Sequence, residues 1–268
     1  MSFLPAIPAG GYAGWTFLKR TRDSQVAGLA TAPQQKRDIA HFRDKIGSVV
    51  SADMLVADKR LLRVALTAFG LEGDLGNTAF IRKVLADGTL EPGDLPNRLA
   101  DKRYRDLSEA FGFGNFSVPR TRLSDFADKI VAAFEERQFE AAVGNQHNDL
   151  RLALNAEREL AALANRGLAP DTAWLTVIGS PPLRSVFQTA FSLPPSFAAI
   201  NLDQQVESLR TKAAAALGDS EIAQFREPAA IEKLLKRFLL RNESASFGGT
   251  GTPGGIALQL LQSRTAMR

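Results

Sequence analysis

A stretch of fourteen residues recurs along this chain, and it constrains the fold more than any other feature. Asp58 to Leu71 reads DKRLLRVALTAFGL, and Asp101 to Phe113 reads DKRYRDLSEAFGF, one residue shorter. Ser180 to Leu193 reads SPPLRSVFQTAFSL, and its Leu183, Val186, Thr189, Ala190, Phe191 and Leu193 match the first copy position for position. A weaker fourth copy runs from Glu227 to Phe238. The three clear copies open with Asp or Ser, residues that accept hydrogen bonds from the free N–H groups of a helix start. Two of them then place Gly70 or Gly112 where a helix ends through a left-handed residue. A helix of about 10 residues is not stable alone in water, so each copy must pack against neighbours. The Phe at the end of each copy, Phe69, Phe111 or Phe191, is expected in the core.

A second helix follows the first copy, from Asn77 to Asp87, and another follows the third copy, starting at Asn201. The unit is a short helix–turn–helix pair used several times. Successive copies start 43, 79 and 47 residues apart, too irregular for a regular solenoid. Longer helices lie in the wide gap. From Leu123 to Ala142, Phe126, Ile130, Phe134 and Ala141 recur at helical spacing, with Ser124 as N-cap. A further helix spans Asn148 to Asn165 and stops before Gly167. After Asn201, residues Leu202, Val206, Leu209, Ala213 and Leu217 trace one apolar stripe that ends at Gly218. No stretch of two-residue alternation is long enough for a sheet, so the expected fold class is all-α. We divide the chain into an N-terminal extension over 1–35, a helical core domain over 36–243, and a Gly-rich linker with a short apolar helix over 244–268.

Composition removes several kinds of chemistry. The chain has no cysteine and only two histidines, His41 and His147. Disulfide scaffolds, Cys-ligated zinc, iron–sulfur clusters, thiol nucleophiles and multi-histidine metal sites are therefore ruled out. We assign no catalytic, cofactor-binding or metal-ligating residue. Each histidine has charged sequence neighbours, but a catalytic base needs an orienting carboxylate or a nucleophile in reach, and surface or capping roles are expected for both. Glu135 and Glu136 point to different sides of their helix and are read as a solvated face. Gly249, Gly251 and Gly254 satisfy G-x-G-x-x-G, but no strand precedes them, so they read as linker rather than as a dinucleotide fingerprint.

Thirty-three Lys and Arg stand against 29 Asp and Glu, a net charge of +4. Basic residues gather at Lys59, Arg60 and Arg63, at Lys102, Arg103 and Arg105, and at Lys233, Lys236 and Arg237. Acidic residues are nearly as numerous and aromatic interleaving is absent, so nucleic-acid binding is not expected. No apolar run approaches the length of a membrane span. The N-terminal stretch carries Pro5, Pro8, Gly10 and Gly11 and no charged start, unlike a secretory signal. The expectation is a cytoplasmic protein, or a flagellum-associated one without a cleaved signal.

Two apolar clusters lie near the chain ends: Trp15, Phe17 and Leu18, and Ile256, Leu260 and Leu261. Either they fold back onto the core, or they anchor a protein partner or a second copy of the chain by helix-in-groove contacts.

The segments GGYAGWTFLKRT, ADKRLLRVALTAFGLEG, TAFIRKVLADG and ADKRYRDLSEAFGFG together resemble an uncharacterised bacterial family, domain of unknown function twelve-seventeen. The resemblance runs from about Gly11 to Arg241. It implies a setting beside flagellar genes and supplies no catalytic residues. The leading expectation is a non-enzymatic helical protein that acts by protein–protein contacts in flagellar structure or assembly. The alternatives are an enzyme with a carboxylate and arginine site, or a weak nucleic-acid binder.

Overall fold

The structure, a computed structural model, describes residues 3–251, with side chains described as far as Ala245. Thirteen α-helices and five short 3-10 turns make up its regular structure, with no strand among the described residues. The fold is all-α.

The helices are α1 (Gly11–Ala30), α2 (Pro33–Lys45), α3 (Ala52–Ala57), α4 (Lys59–Ala68), α5 (Thr78–Asp87), α6 (Leu95–Arg98) and α7 (Arg103–Phe111). They continue with α8 (Phe126–Gly144), α9 (Asn148–Asn165), α10 (Pro170–Gly179), α11 (Pro181–Ala190), α12 (Leu202–Leu217) and α13 (Pro228–Gly251). The helices group into two compact units. Among the described residues, one holds 3–6 with 21–142, the other Ile7–Arg20 with 143–251. The residues set aside as an N-terminal extension are mostly helical and are divided between both units. The boundary placed at 243/244 falls inside α13.

In the first unit α4 packs on α2 and α3, and α5 packs on α3, α6 and α7. Its core includes Phe42, Leu55, Leu62, Leu66, Ile81, Leu107 and Phe111. In the second unit α9, α11 and α13 pack against one another, and α10 bridges α11 and α12. Phe187 is the aromatic hub there, with Trp174, Phe191 and Phe225 at centroid distances of 5.3, 5.6 and 5.9 Å. Edge-on pairs of this kind add stability beyond the area they bury.

The first and third sequence copies follow the same backbone course. Asp58 (φ −99°, ψ 103°) ends α3 and starts α4, and Ser180 (φ −95°, ψ 106°) ends α10 and starts α11. Both helices then close through the same pair of bonds. The Gly70 N–H reaches the Thr67 carbonyl at 2.9 Å and the Leu71 N–H the Leu66 carbonyl at 2.8 Å. The Ser192 N–H reaches Thr189 at 3.2 Å and the Leu193 N–H reaches Gln188 at 2.8 Å. This is the Schellman stop, which needs a left-handed residue. Gly70 supplies it at φ 69°, and Ser192 supplies it at φ 51°, the one non-glycine with positive φ among the described residues.

The two starts differ. Asp58 Oδ1 accepts from the N–H groups of Arg60 at 2.9 Å and Leu61 at 3.2 Å. The Ser180 side chain caps nothing, and Pro182 removes the N–H at N2, one of the two that a cap usually meets. Phe111 and Phe191 are buried as expected, whereas Phe69 is only half-buried.

A side chain held in the left-handed region costs about 1–2 kcal/mol. Ser192→Gly is therefore expected to raise stability by about 1 kcal/mol, less the bond that Arg241 donates to the Ser192 hydroxyl. Gly70→Ser should lower it by a similar amount. Urea unfolding midpoints check both, and two unchanged midpoints would show that the stop carries no strain.

Candidate functional site

Three of the residues expected as partner anchors lie among the described residues, and they are not on an open surface. Trp15 and Leu18 are 0% exposed, and Phe17 is half-buried. Ile256, Leu260 and Leu261 lie outside the described residues.

Within the second unit the start of α1 is held by a carboxylate. Glu232 accepts hydrogen bonds from Tyr12 Oη at 3.3 Å, Trp15 Nε1 at 3.2 Å and Lys19 Nζ at 3.0 Å. Burial alone would raise the Glu232 pKa, but the bonds from Lys19, Trp15 and Tyr12 outweigh it and hold the carboxyl below its usual value. The Gly11 N–H donates to Asp149 Oδ2 at 3.0 Å. Gly11 sits at φ 60°, in the left-handed region, so the backbone conformation favours glycine there. This accounts for the GGYAGW segment as a docking device rather than a partner motif.

His41 and Glu136 have structural partners. His41 Nε2 lies 2.6 Å from Asp58 Oδ2, a partner 17 residues away that sequence neighbours did not suggest. Burial pushes the Asp58 pKa up, but the bonds from His41, Leu61 and Arg60 bring it below the ordinary value. Glu136 pairs with Arg22, and both glutamates are half-buried rather than solvated. Burial raises the Glu135 pKa, with Arg43 opposing. Tyr104 donates to Asp74 at 2.6 Å. Burial and that bond push its pKa up to about 12, so the phenol stays protonated at neutral pH. Several of the clustered cations are occupied. Arg63 faces Asp38 at 3.3 Å, Arg103 faces Asp101 at 2.6 Å, and Lys102 and Lys233 donate to backbone carbonyls. Among the described residues no cluster of three or more His, Asp or Glu could hold a metal ion.

What stands open instead is the segment after α7 in the first unit, residues 112–124. α7 ends at Gly112 in the left-handed region (φ 68°). A Cβ there would come within 2.8 Å of the Phe116 ring. Asn115 then clamps the chain. Its Oδ1 accepts from the Thr89 N–H at 2.6 Å, and its Nδ2 donates to the Thr89 hydroxyl at 2.9 Å. At the far end the buried Thr121 donates from Oγ1 to the Val49 carbonyl at 2.7 Å. Between these pins Pro119 fixes its own φ near the value the turn needs, and Arg120–Arg122 form a 3-10 turn.

Asn115 and Thr121 are therefore tied to the body, and apolar side chains between and just after them are presented outward. Phe116 is 43% exposed, Val118 61% and Leu123 56%. They line an open groove of about 670 Å³ with Asn115, Arg120 and Arg122. A smaller one of about 440 Å³ adjoins it, shares Arg122 and Leu123, and is lined further by Arg43 and Ile46. The Arg120 guanidinium lies over the Phe116 ring at 5.1 Å. Exposed apolar side chains on a pinned loop are the usual mark of a contact surface.

Sequence reasoning passed over this loop because it looked for apolar residues at helical spacing. The available signal was three large apolar residues beside Pro119, outside any periodic pattern, in a stretch from Asn115 to Ser124 that contains arginine and no acid.

The model of a family described as "Protein of unknown function (DUF1217)" matches residues 68–231, which include this loop. The chain belongs to the DUF1217 family. Its fold is similar to an X-ray crystal structure of a protein from Agrobacterium tumefaciens, at 26% identity and a TM-score of 0.73. That likeness covers 90% of this chain and 98% of the other. A search of curated proteins finds no match. The DUF1217 match also takes in the stops at Gly70, Gly112 and Ser192, and excludes the Gly11–Trp15 segment. Among the described residues no helix of this DUF1217 protein is long and apolar enough to cross a membrane.

Proposed function

We propose that the protein is a non-enzymatic helical binding protein that works through protein–protein contacts, in flagellar structure or assembly. The observation that carries the contact reading is the pinned loop at 115–124. Its apolar side chains stay exposed although Asn115 and Thr121 are fixed by buried or half-buried hydrogen bonds. A flexible tail would expose such residues at no cost, but a fixed loop exposes them against the tendency of apolar surface to leave water. The flagellar setting rests on the family resemblance alone.

Three of the shifted carboxylates support the same reading, while Glu135, raised by burial, does not. Asp58, Asp101 and Glu232 are all held below their ordinary pKa by hydrogen bonds within the fold. A catalytic acid or base is usually moved toward neutrality instead.

The test is site-specific photo-crosslinking in motile cells, with the reactive group at Val118 and a control at exposed Leu202 of the other unit. Defined protein adducts at Val118, absent from the control, are expected, and mass spectrometry should place a flagellar component among them. No adduct at Val118 would overturn the contact reading. Adducts that hold only non-flagellar proteins would overturn the setting.

A further inference from the structure

The groove over residues 115–124 has a charge as well as a shape, and the charge is not balanced within the protein. None of the residues lining it or its smaller neighbour is acidic. Arg122 is exposed and makes no ion pair among the described residues, and Arg120 has only the Phe116 ring. The carboxylates that follow along the chain are already engaged. Asp125 lies 2.6 Å from Lys129, and Asp128 lies 3.0 Å from Arg43. Other arginines of this unit do face acids, including Arg63 with Asp38, Arg82 with Asp53 and Arg137 with Glu140. Two guanidiniums thus flank exposed Phe116, Val118 and Leu123 with no counter-charge.

We propose that this groove takes an acidic amphipathic segment of a partner protein. Its apolar side chains would cover Phe116, Val118 and Leu123, and its carboxylates would face Arg120 and Arg122. This rests on the contact reading above and adds the partner's chemistry to it. Guanidinium groups suit such a segment because they bond carboxylates in a two-pronged fashion and also lie flat on aromatic rings. The chain's own C-terminal segment is a poor occupant. Residues 252–268 contain Arg264 and Arg268 and no acid, so like charges would meet. A nucleic acid would bring phosphates in number to only two unpaired arginines, and would leave three apolar side chains without a partner surface.

The experiment selects from a random-peptide display library against the full-length protein, then measures the winners with wild type, Arg122→Glu and Arg120→Glu/Arg122→Glu. Enriched peptides should carry Asp or Glu interleaved with Leu, Ile or Phe at helical spacing. Binding should weaken by about tenfold or more in the double variant, because like charges then face each other. A peptide with its acids changed to Lys should recover binding to the double variant and lose it to wild type. Arg122 is exposed, so the single variant keeps the test valid even if the double variant folds poorly.

Enrichment of neutral or basic peptides, peptides indifferent to both variants, or no enrichment would overturn the proposal. So would three other results: binding to phosphatidylglycerol vesicles that the variants abolish, the same for a single-stranded oligonucleotide, or self-association that the variants abolish. The contact reading fails separately, by absence of the Val118 adduct in cells. An adduct whose crosslinked segment has no acidic residue would keep the contact reading and overturn this one.

Discussion

Trp15→Ala is expected to lower stability by about 3–5 kcal/mol, the range found when a fully buried large aromatic is cut to a methyl. Trp15 is 0% exposed, and its indole N–H is one of three donors to Glu232. Two losses coincide in this variant. A cavity opens where the ring stood, and a half-buried carboxylate keeps only Tyr12 and Lys19. A typical domain is stable by about 5–15 kcal/mol, so this single change removes a large share of the margin. Phe17→Ala, two residues on, should cost well under half as much, since Phe17 is only half-buried. Urea unfolding of full-length protein, followed by far-UV circular dichroism, measures both. A loss below about 1 kcal/mol for Trp15→Ala would put the indole on the surface and restore its reading as a partner anchor.

The second large effect separates two positions that the sequence treats as equivalent. Phe111→Ala should cost about 3–5 kcal/mol. Its ring is fully buried and meets Phe126 edge-on at 5.1 Å and Phe113 at 5.6 Å. Phe69→Ala should cost about 1–2 kcal/mol, in proportion to the smaller apolar area it removes from water. Both residues end a repeated helix just before a left-handed glycine. If their costs came out equal, the local pattern would set the energetics. The expected threefold gap means that the surroundings set it. Unfolding midpoints of the two variants, compared at equal slope, decide between these outcomes.

Helix ends were the most legible part of the sequence. Asn148–Asn165 begins and ends as expected, Asp58 caps α4, and Asn201 accepts from the Asp203 N–H at 2.7 Å at the start of α12. The left-handed stops at Gly112 and Gly218 also fall where the glycines stand. These features depend on bonds within three or four residues, so a local sequence contains everything that fixes them. Small shifts mark the limits of that reasoning. α8 starts at Phe126, where Asp125 rather than Ser124 precedes the helix. α10 went unread because its ten residues, from Pro170 to Gly179, carry a nearly continuous apolar run without a clear stripe.

The candidate site was almost illegible for the opposite reason. Trp15 and Leu18, three residues apart, could equally have pointed to a partner or to the core. Glu232, more than two hundred residues away, decides for the core. His41 gained its carboxylate from Asp58 because α2 packs on α4, not because of any neighbour in sequence. The groove at 115–124 exists because Asn115 reaches Thr89 and Thr121 reaches Val49, contacts 26 and 72 residues apart.

The sequence by itself determined that this chain is helical, where α9 and α12 begin and stop, and that thiol and multi-histidine metal chemistry are closed to it. Each of these follows from local hydrogen bonding or from which side chains are present at all. Tertiary structure alone decided that the chain packs as two units, that the GGYAGW segment is internal, and that Phe116, Val118 and Leu123 remain outside. Burial is a property of the whole packing: an apolar side chain leaves water only if another element arrives to cover it.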